Sequence, residues 1–205
     1  IYKDEWSGSN GHPARLLGCE LRPPDFSDSG NADVFCRTYL EQLIYTDSRG
    51  WLAYDGMRWE ANDHQAYKLA GKLSADMLED AKREYFAAVQ QQAEVEVAAS
   101  EGTQDDEAKD KAKKITKRAK SYLDHAQQLR NERRIKAMLE LAKHELAIDP
   151  SILDADPDIL NTPGGIIHLP TGKLMPHDPK RFCTKITAVS PGTKGAEMWI
   201  NHLKL

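Results

Sequence analysis

Residues 161–179 read NTPGGIIHLPTGKLMPHDP, with glycines and a threonine leading into a Thr-Gly-Lys. Closed around a phosphate, this stretch would make the chain an α/β nucleotide hydrolase; as a turn, it belongs to another fold class. A phosphate loop needs a glycine, four residues, then Gly-Lys-Ser/Thr. Backbone N–H groups then surround the phosphate, the lysine reaches it, and the hydroxyl holds magnesium. Here six residues separate Gly165 from Gly172, and Pro170 among them has no N–H to donate. Leu174 stands where the hydroxyl belongs, and Pro176 and Pro179 block the helix that should follow. The stretch is predicted to be a β-hairpin, with strands over 165–169 and 173–175 about a Pro170-Thr171-Gly172 turn.

Just upstream, Asp154 and Asp156 have the Asp-x-Asp spacing that holds paired metals in polymerases and primases. Those aspartates need a strand to fix them, and Pro150 and Pro157 make the segment a turn instead. The seven histidines and three cysteines (Cys19, Cys36, Cys183) are scattered, with no metal-ligand spacing, redox pair or disulfide framework. The cysteine usage suits a reducing, intracellular location. There is no nucleophile elbow and no paired carboxylate site, so neither catalytic residues, a metal nor a cofactor is expected in this segment.

Working outward, the periodicity changes to that of helices. Ala66, Ala70, Leu73, Met77, Ala81, Tyr85 and Ala88 recur at threes and fours, predicting a helix over 65–97. After the polar break SEGTQDDE (100–107), Ala112, Ile115, Ala119, Tyr122, Ala126 and Leu129 repeat the pattern. It continues, kinked near Asn131, through Ile135, Met138, Leu141 and Ala142. Two long amphipathic helices joined by a polar turn imply an antiparallel hairpin over about 65–147, each arm reaching roughly 45–50 Å and protruding from a compact body. Before it, SDSGNADVFCRTYLEQLIY reads as a helix capped by Ser29 or Asn31, with Phe35, Tyr39 and Leu43 on one face. GWLAYDGMRWEAND reads as two strands about an Asp55-Gly56 turn. A last helix is expected from near Gly195 to the end. The fold class is therefore α+β and mainly helical, a long helical hairpin flanked by small β-hairpins.

The 205 residues allow one large domain or two small ones. No apolar run is long enough to span a membrane, and the start does not read as a signal peptide. The opening Ile1 and the helix at the end suggest a piece of something longer.

The net charge of −4 hides a polarity. Residues 76–107 carry ten acids against two bases, and residues 109–136 carry eleven bases against three acids. In one reading the basic helix lies beside the acidic one and the charges neutralise along a solvated seam, the commoner fate of helical charge runs. In the other, Lys113, Lys114, Lys117, Arg118, Lys120, Arg130, Arg133 and Arg134 meet nucleic-acid phosphates. Tyr122 is the single aromatic interleaved there, which argues against a base-stacking groove.

Several landmarks in order carry a resemblance: DSGNADVF, WLAYDGMRWEAND, MLELAKHELAI, and LDADPDILNTPGGIIHLPTGKLMPHDPKRFCTKIT. Together they resemble the domain that precedes the superfamily 3 helicase motor in phage, plasmid and prophage primase–helicases, related to the poxvirus primase–helicase. Gly30-Asn31-Ala32, Trp51, Tyr54-Asp55-Gly56, Trp59, Leu160-Asn161, Thr171-Gly172, Leu174 and Pro176-His177-Asp178-Pro179 match by position, over about residues 27–198. Gly164-Gly165 stands where Asn-Gly is usual, and His168 replaces an Asp.

The resemblance implies a non-catalytic segment of a DNA replication protein: a leader over 1–26, a coupling domain over 27–190, and a helix from 191 leading to a motor. The parent chain would be an ATP-binding helicase and primase, assembling as a homo-oligomeric ring on DNA in the cytoplasm of a bacterium or a phage-infected host. Its partners would be DNA and its own helicase and primase domains, with no membrane. The alternative is a protein-interaction or oligomerisation module without DNA binding. For individual motif residues, Trp51 and Trp59 are expected to supply packing, and Asn161 and His177 to fix turns.

Overall fold

A computed structural model describes residues 20–100, 106–192 and 196–204. The architecture is α+β and mainly helical, and the chain forms two compact units. One draws on Ile1–Leu40 and Asp63–Leu146, the other on Glu41–Asn62 and Ala147–Leu205.

The first unit is helical. Helix α1 (Asp28–Tyr39) is capped by Ser27, whose side chain accepts from the Gly30 N–H. The expected caps, Ser29 and Asn31, lie inside the helix instead. Ser27 alone has the extended backbone that aims a hydroxyl at the first free N–H groups, while Asn31 is drawn into the core. Helix α2 (Asp63–Ser100) has 38 residues and so is about 57 Å long at 1.5 Å per residue. Helix α3 (Asp106–Leu129) runs back along it, and α4 (Glu132–Glu145) follows. The expected kink near Asn131 is a full stop and restart: Asn131 Oδ1 caps α4 by accepting from the Arg133 N–H at 3.0 Å. The predicted polar turn at 100–107 lies mostly outside the described residues, and its last two residues, Asp106 and Glu107, are already helical.

The pairing of α2 with α3 is antiparallel. Asp80 meets Tyr122, Tyr85 meets Lys120 and Ala88 meets Thr116, so one number rises as the other falls. Ala81, Ala88, Ala112, Ala119 and Ala126 are all buried, and alanine at these positions lets two helices lie close. Helix α1 packs mainly on α4, and Phe35, Tyr39, Leu73, Met77, Tyr122, Leu129, Met138 and Leu139 are the large buried side chains of this unit.

The second unit holds two antiparallel three-stranded sheets. The first orders β1 (Leu43–Thr46), β2 (Gly50–Tyr54) and β3 (Trp59–Ala61). The second orders β4 (Ile159–Thr162), β5 (Gly165–His168) and β6 (Lys173–Met175). Each expected hairpin therefore gains a strand. Leu43 continues the helical period of Phe35 and Tyr39, yet it opens the β-forming run Leu-Ile-Tyr-Thr and pairs with Ala53. The four-residue β4 is too short to show a period of its own. The connection of β2 to β3 also differs from a two-residue turn: it spans Asp55 to Arg58, and only Gly56 has positive φ (100°). Asp55 Oδ1 accepts from the Met57 and Arg58 N–H groups, both at 2.7 Å, so the aspartate caps the loop. Ile44, Leu52, Trp59 and Leu153 form the core here, with Tyr54, Ile148 and Phe182 packed against it. Helix α5 (Ala196–Leu203) closes the described chain.

The 161–179 stretch is a β-hairpin. The Thr171 and Gly172 N–H groups both close on the His168 carbonyl, and Lys173 begins a strand rather than a helix. Gly165 has φ 136°, and a Cβ there would collide with the Met175 carbonyl. Gly172, at φ 66°, has open space around it. Gly165→Ala is therefore expected to destabilise by about 2–4 kcal/mol, and Gly172→Ala by only about 1 kcal/mol of backbone strain. Urea unfolding of the two variants checks the order; equal costs would mean that the close approach at Gly165 contributes nothing.

Candidate nucleic-acid interface

Helix α3 places its apolar and charged residues on opposite sides. Ala112, Ala119 and Ala126 form the buried line, and Lys113, Lys117 and Lys120, spaced at i, i+4 and i+7, point the other way. Lys114 and Arg118 are exposed on one flank. Arg130 lies between α3 and α4, and Arg133 in the first turn of α4; both are exposed. Arg134 is half-buried, held at 3.5 Å from Asp28 and 3.1 Å from Gln128. Lys120 is tied to Asp124 at 2.8 Å. The Asp124 hydrogen bond holds its ammonium above the ordinary lysine range.

Two ion pairs of α2 lie within the helix, and Glu79 is held below the usual carboxylate range mainly by its bond to Lys82, with Arg130 across the hairpin adding to the shift. On α2, Glu79 pairs with Lys82 and Asp80 with Arg83, both within the helix at 2.8 Å. Glu84 pairs with Arg22, from the segment before α1. Lys113, Lys114, Lys117, Arg118, Arg130 and Arg133 make no side-chain ion pair with any described residue. A seam of alanines leaves no room for long charged side chains, whose burial would also carry a desolvation penalty. Glu79 and Asp80 are matched locally, Lys109 and Lys120 pair with Asp106 and Asp124, and Lys113, Lys114, Lys117 and Arg118 are exposed without an ion pair to a described residue.

Tyr122, the one aromatic of the basic block, is buried. Its ring lies under the Arg22 guanidinium at 5.2 Å and is stacked with Phe26 at 6.0 Å. Its hydroxyl donates to Asp80 Oδ2 at 3.3 Å, and burial pushes its pKa well up. Arg22 also donates to the Arg118 carbonyl at 3.5 Å, so the segment before α1 straddles both arms of the hairpin. Nothing in the loop-like composition of that segment signals this role.

His125 stacks on Phe26 at 5.0 Å, and its Nε2 donates to Asn31 Oδ1 at 2.8 Å. Burial, with Arg134 nearby, holds its pKa below the ordinary histidine value, against the opposing pull of Asp28 and Asp25. The folded chain thus resists a proton that the unfolded chain accepts below about pH 6.5. This contribution to stability is intact above that pH and lost as pH falls through it. The urea midpoint should drop between pH 7.5 and pH 5, and by less in His125→Gln; an equal drop in both would remove His125 as the cause.

The residues that carry the family resemblance act as fasteners. Gly30 has no Cβ because the Asp25 carbonyl lies against it. Asn31 is fully buried against His125. Trp51 is buried in an edge-on contact with Tyr45 at 5.4 Å, and Trp59 is buried with its indole N–H donating to the Pro179 carbonyl at 2.8 Å. Asn161 donates to the Met57 carbonyl at 2.9 Å and the Lys185 carbonyl at 3.1 Å, tying the β2–β3 loop to the second sheet. His177 Nε2 donates to the Thr162 carbonyl at 2.9 Å. Thr171 Oγ1 bonds His168 at 2.7 Å, Pro176 ends β6, and Asp178 caps the short turn Pro179–Arg181. Asp55 and Gly56 shape the β2–β3 loop.

Asp154 is equally occupied. Its carboxylate accepts from the Thr184 N–H at 2.7 Å, the Thr184 hydroxyl at 2.5 Å and the Lys185 N–H at 3.3 Å. Burial alone would raise its pKa, but these bonds together hold it below the usual carboxylate range. Asp156 pairs with Arg181. Among the described residues no three His, Cys, Asp or Glu side chains lie close enough together to hold a metal. Cys36 and Cys183 are free and buried, and burial with Glu145 alongside pushes the Cys36 thiol up to about 12, away from the thiolate a nucleophile needs. No helix among the described residues is long and apolar enough to cross a membrane.

A family model described as D5 N terminal like matches residues 32–204. No curated protein matches the sequence.

Proposed function

The chain belongs to the D5 N-terminal-like family, the domain found in phage and viral primase–helicases, and on that premise we propose that it is the DNA-associated coupling segment of such a protein. The segment itself is not catalytic. The observation that carries the reading is the outward line on α3, where Lys113, Lys114, Lys117 and Arg118 are exposed and unmatched. Cations four residues apart on a helix are about 6 Å apart along its axis. Such a row neutralises successive phosphates and is rewarded by counterion release. With Tyr122 buried, α3 itself offers no aromatic side chain among its described residues to stack on bases, so its contact is to the backbone and independent of sequence.

The proposed partners follow from the family. The segment joins a helicase motor that carries the true phosphate loop to a primase-like part, in a parent chain that works as a ring on DNA in the cytoplasm of a bacterium or infected cell. Fluorescence anisotropy with labelled single-stranded and forked DNA tests the DNA contact. Binding at low salt that weakens steeply as salt rises is expected. No binding at low salt, together with salt-dependent self-association, would replace this reading with that of a protein-interaction module.

A further inference from the structure

Helix α2 has a second apolar line. The first, through Ala81 and Ala88, is buried against α3. The other side carries Phe86, 64% exposed, Val89, 40% exposed, and the exposed Ala93. Their spacing of i, i+3 and i+7 is that of a helix–helix seam. Phe86, Val89 and Ala93 form a short apolar line on a helix whose opposite face is already packed.

We propose that a second copy of this chain covers it, α2 against α2, antiparallel and related by a two-fold axis near residues 88–90. Two features of the line are self-complementary about that point. Phe86 of one copy falls beside Ala93 of the other, a large side chain over a small one. Arg83 and Glu94 lie 11 residues apart, which at 100° per residue puts them on the same flank of the helix, within about 20° of each other. Antiparallel pairing that sets Phe86 beside Ala93 brings Arg83 of each copy within two residues, about 3 Å along the axis, of the level of Glu94 of the other, a gap that the long arginine side chain spans, twice. The pair Arg83 makes with Asp80 is no obstacle, because the arginine side chain is 62% exposed and an exposed pair within one helix is easily exchanged.

A two-fold contact is isologous, so by itself it closes at two copies; it is separate from the head-to-tail contacts that a ring of the parent chain requires. The outward face of α3 is a poorer occupant, since Lys113, Lys117 and Lys120 offer nothing apolar to receive Phe86. The contact leaves that face free, so this inference goes beyond the DNA reading and does not depend on it. A single helix–helix seam lies at the small end of specific interfaces, so the dimer is expected at roughly micromolar concentrations and above.

Sedimentation velocity on the whole chain, from about 1 to 300 µM, provides the test. A concentration-dependent dimer is expected, which Phe86→Glu turns into a monomer. Arg83→Glu should weaken the dimer about tenfold or more by facing glutamate with glutamate, and Arg83→Glu with Glu94→Arg should return it to within about threefold of the parent. All three side chains are exposed, and circular dichroism checks that helix content is kept. If Phe86→Glu fails to fold, the charge exchange alone still decides. A monomer at every concentration, a higher closed oligomer, or a dimer that the charge exchange does not rescue would overturn the proposal, whether or not the chain binds DNA.

Discussion

Changing Lys113, Lys114, Lys117 and Arg118 together to glutamate is expected to remove DNA binding measurable in the parent chain. The four side chains point away from the packed face of α3 and have no acidic partner among the described residues, so their charge is available to a phosphate backbone. On single strands each neutralised phosphate contributes a slope of about −0.7 to log affinity against log salt. Four contacts give a slope near −3, so raising salt from about 50 to about 200 mM should cost the parent roughly 50-fold in affinity. Reversal replaces four attractions with four repulsions, and the variant's slope should fall toward zero. Its melting behaviour should stay within about 0.5 kcal/mol of the parent, because exposed substitutions away from packing change little. A variant that binds as the parent does would exclude α3 as the interface. A variant that loses affinity equally at all salt concentrations would mean that the contacts are not electrostatic.

The outward position of those cations was half legible. Their spacing already separates them from the buried Ala112, Ala119 and Ala126, and the helical hairpin itself follows from the three-and-four period. Where each charge finds its partner depends on more than regional totals. Ten acids beside eleven bases suggest a neutralised seam, yet Glu79 with Lys82 and Asp80 with Arg83 sit at i, i+3, and this local pairing takes up two of the α2 acids. Contacts between distant residues leave no local signal. Asn31 and His125 are 94 residues apart, and their hydrogen bond explains why the asparagine that looked like a helix cap is buried. The third strands escaped for the opposite reason: four residues are too few to show a period, and Leu43 happens to continue a helical one. Nor did the sequence distinguish the Phe86 line from ordinary core, because both faces of α2 repeat alanine and apolar residues at the same interval.

Trp59→Ala is expected to destabilise the second unit by about 3–5 kcal/mol, the usual cost of emptying a buried aromatic site and a large share of a typical domain's stability. The ring is 2% exposed and lies 5.3 Å from Tyr54 and 6.5 Å from Phe182. Phe182 is held at φ 49°, a left-handed conformation that costs about 1–2 kcal/mol in a bulky residue. Its contact with Trp59 and its carbonyl's bond from the Asp154 N–H, at 3.1 Å, help to hold it there. Emptying the indole site therefore removes burial and also loosens a strained neighbour. Two gentler variants separate structure from DNA contact. Trp59→Phe keeps an aromatic ring but deprives the Pro179 carbonyl of its donor, for an expected loss of about 1–3 kcal/mol. Trp59→Leu keeps apolar bulk without an aromatic face. A tryptophan that stacked on a base would lose about 1–3 kcal/mol of binding on that change, tenfold or more in affinity. An interior tryptophan should leave affinity unchanged at temperatures where the variant is still folded. Urea unfolding and anisotropy on the same preparations give both numbers. Lost affinity with intact folding in Trp59→Leu would move the nucleic-acid contact from α3 to the first sheet.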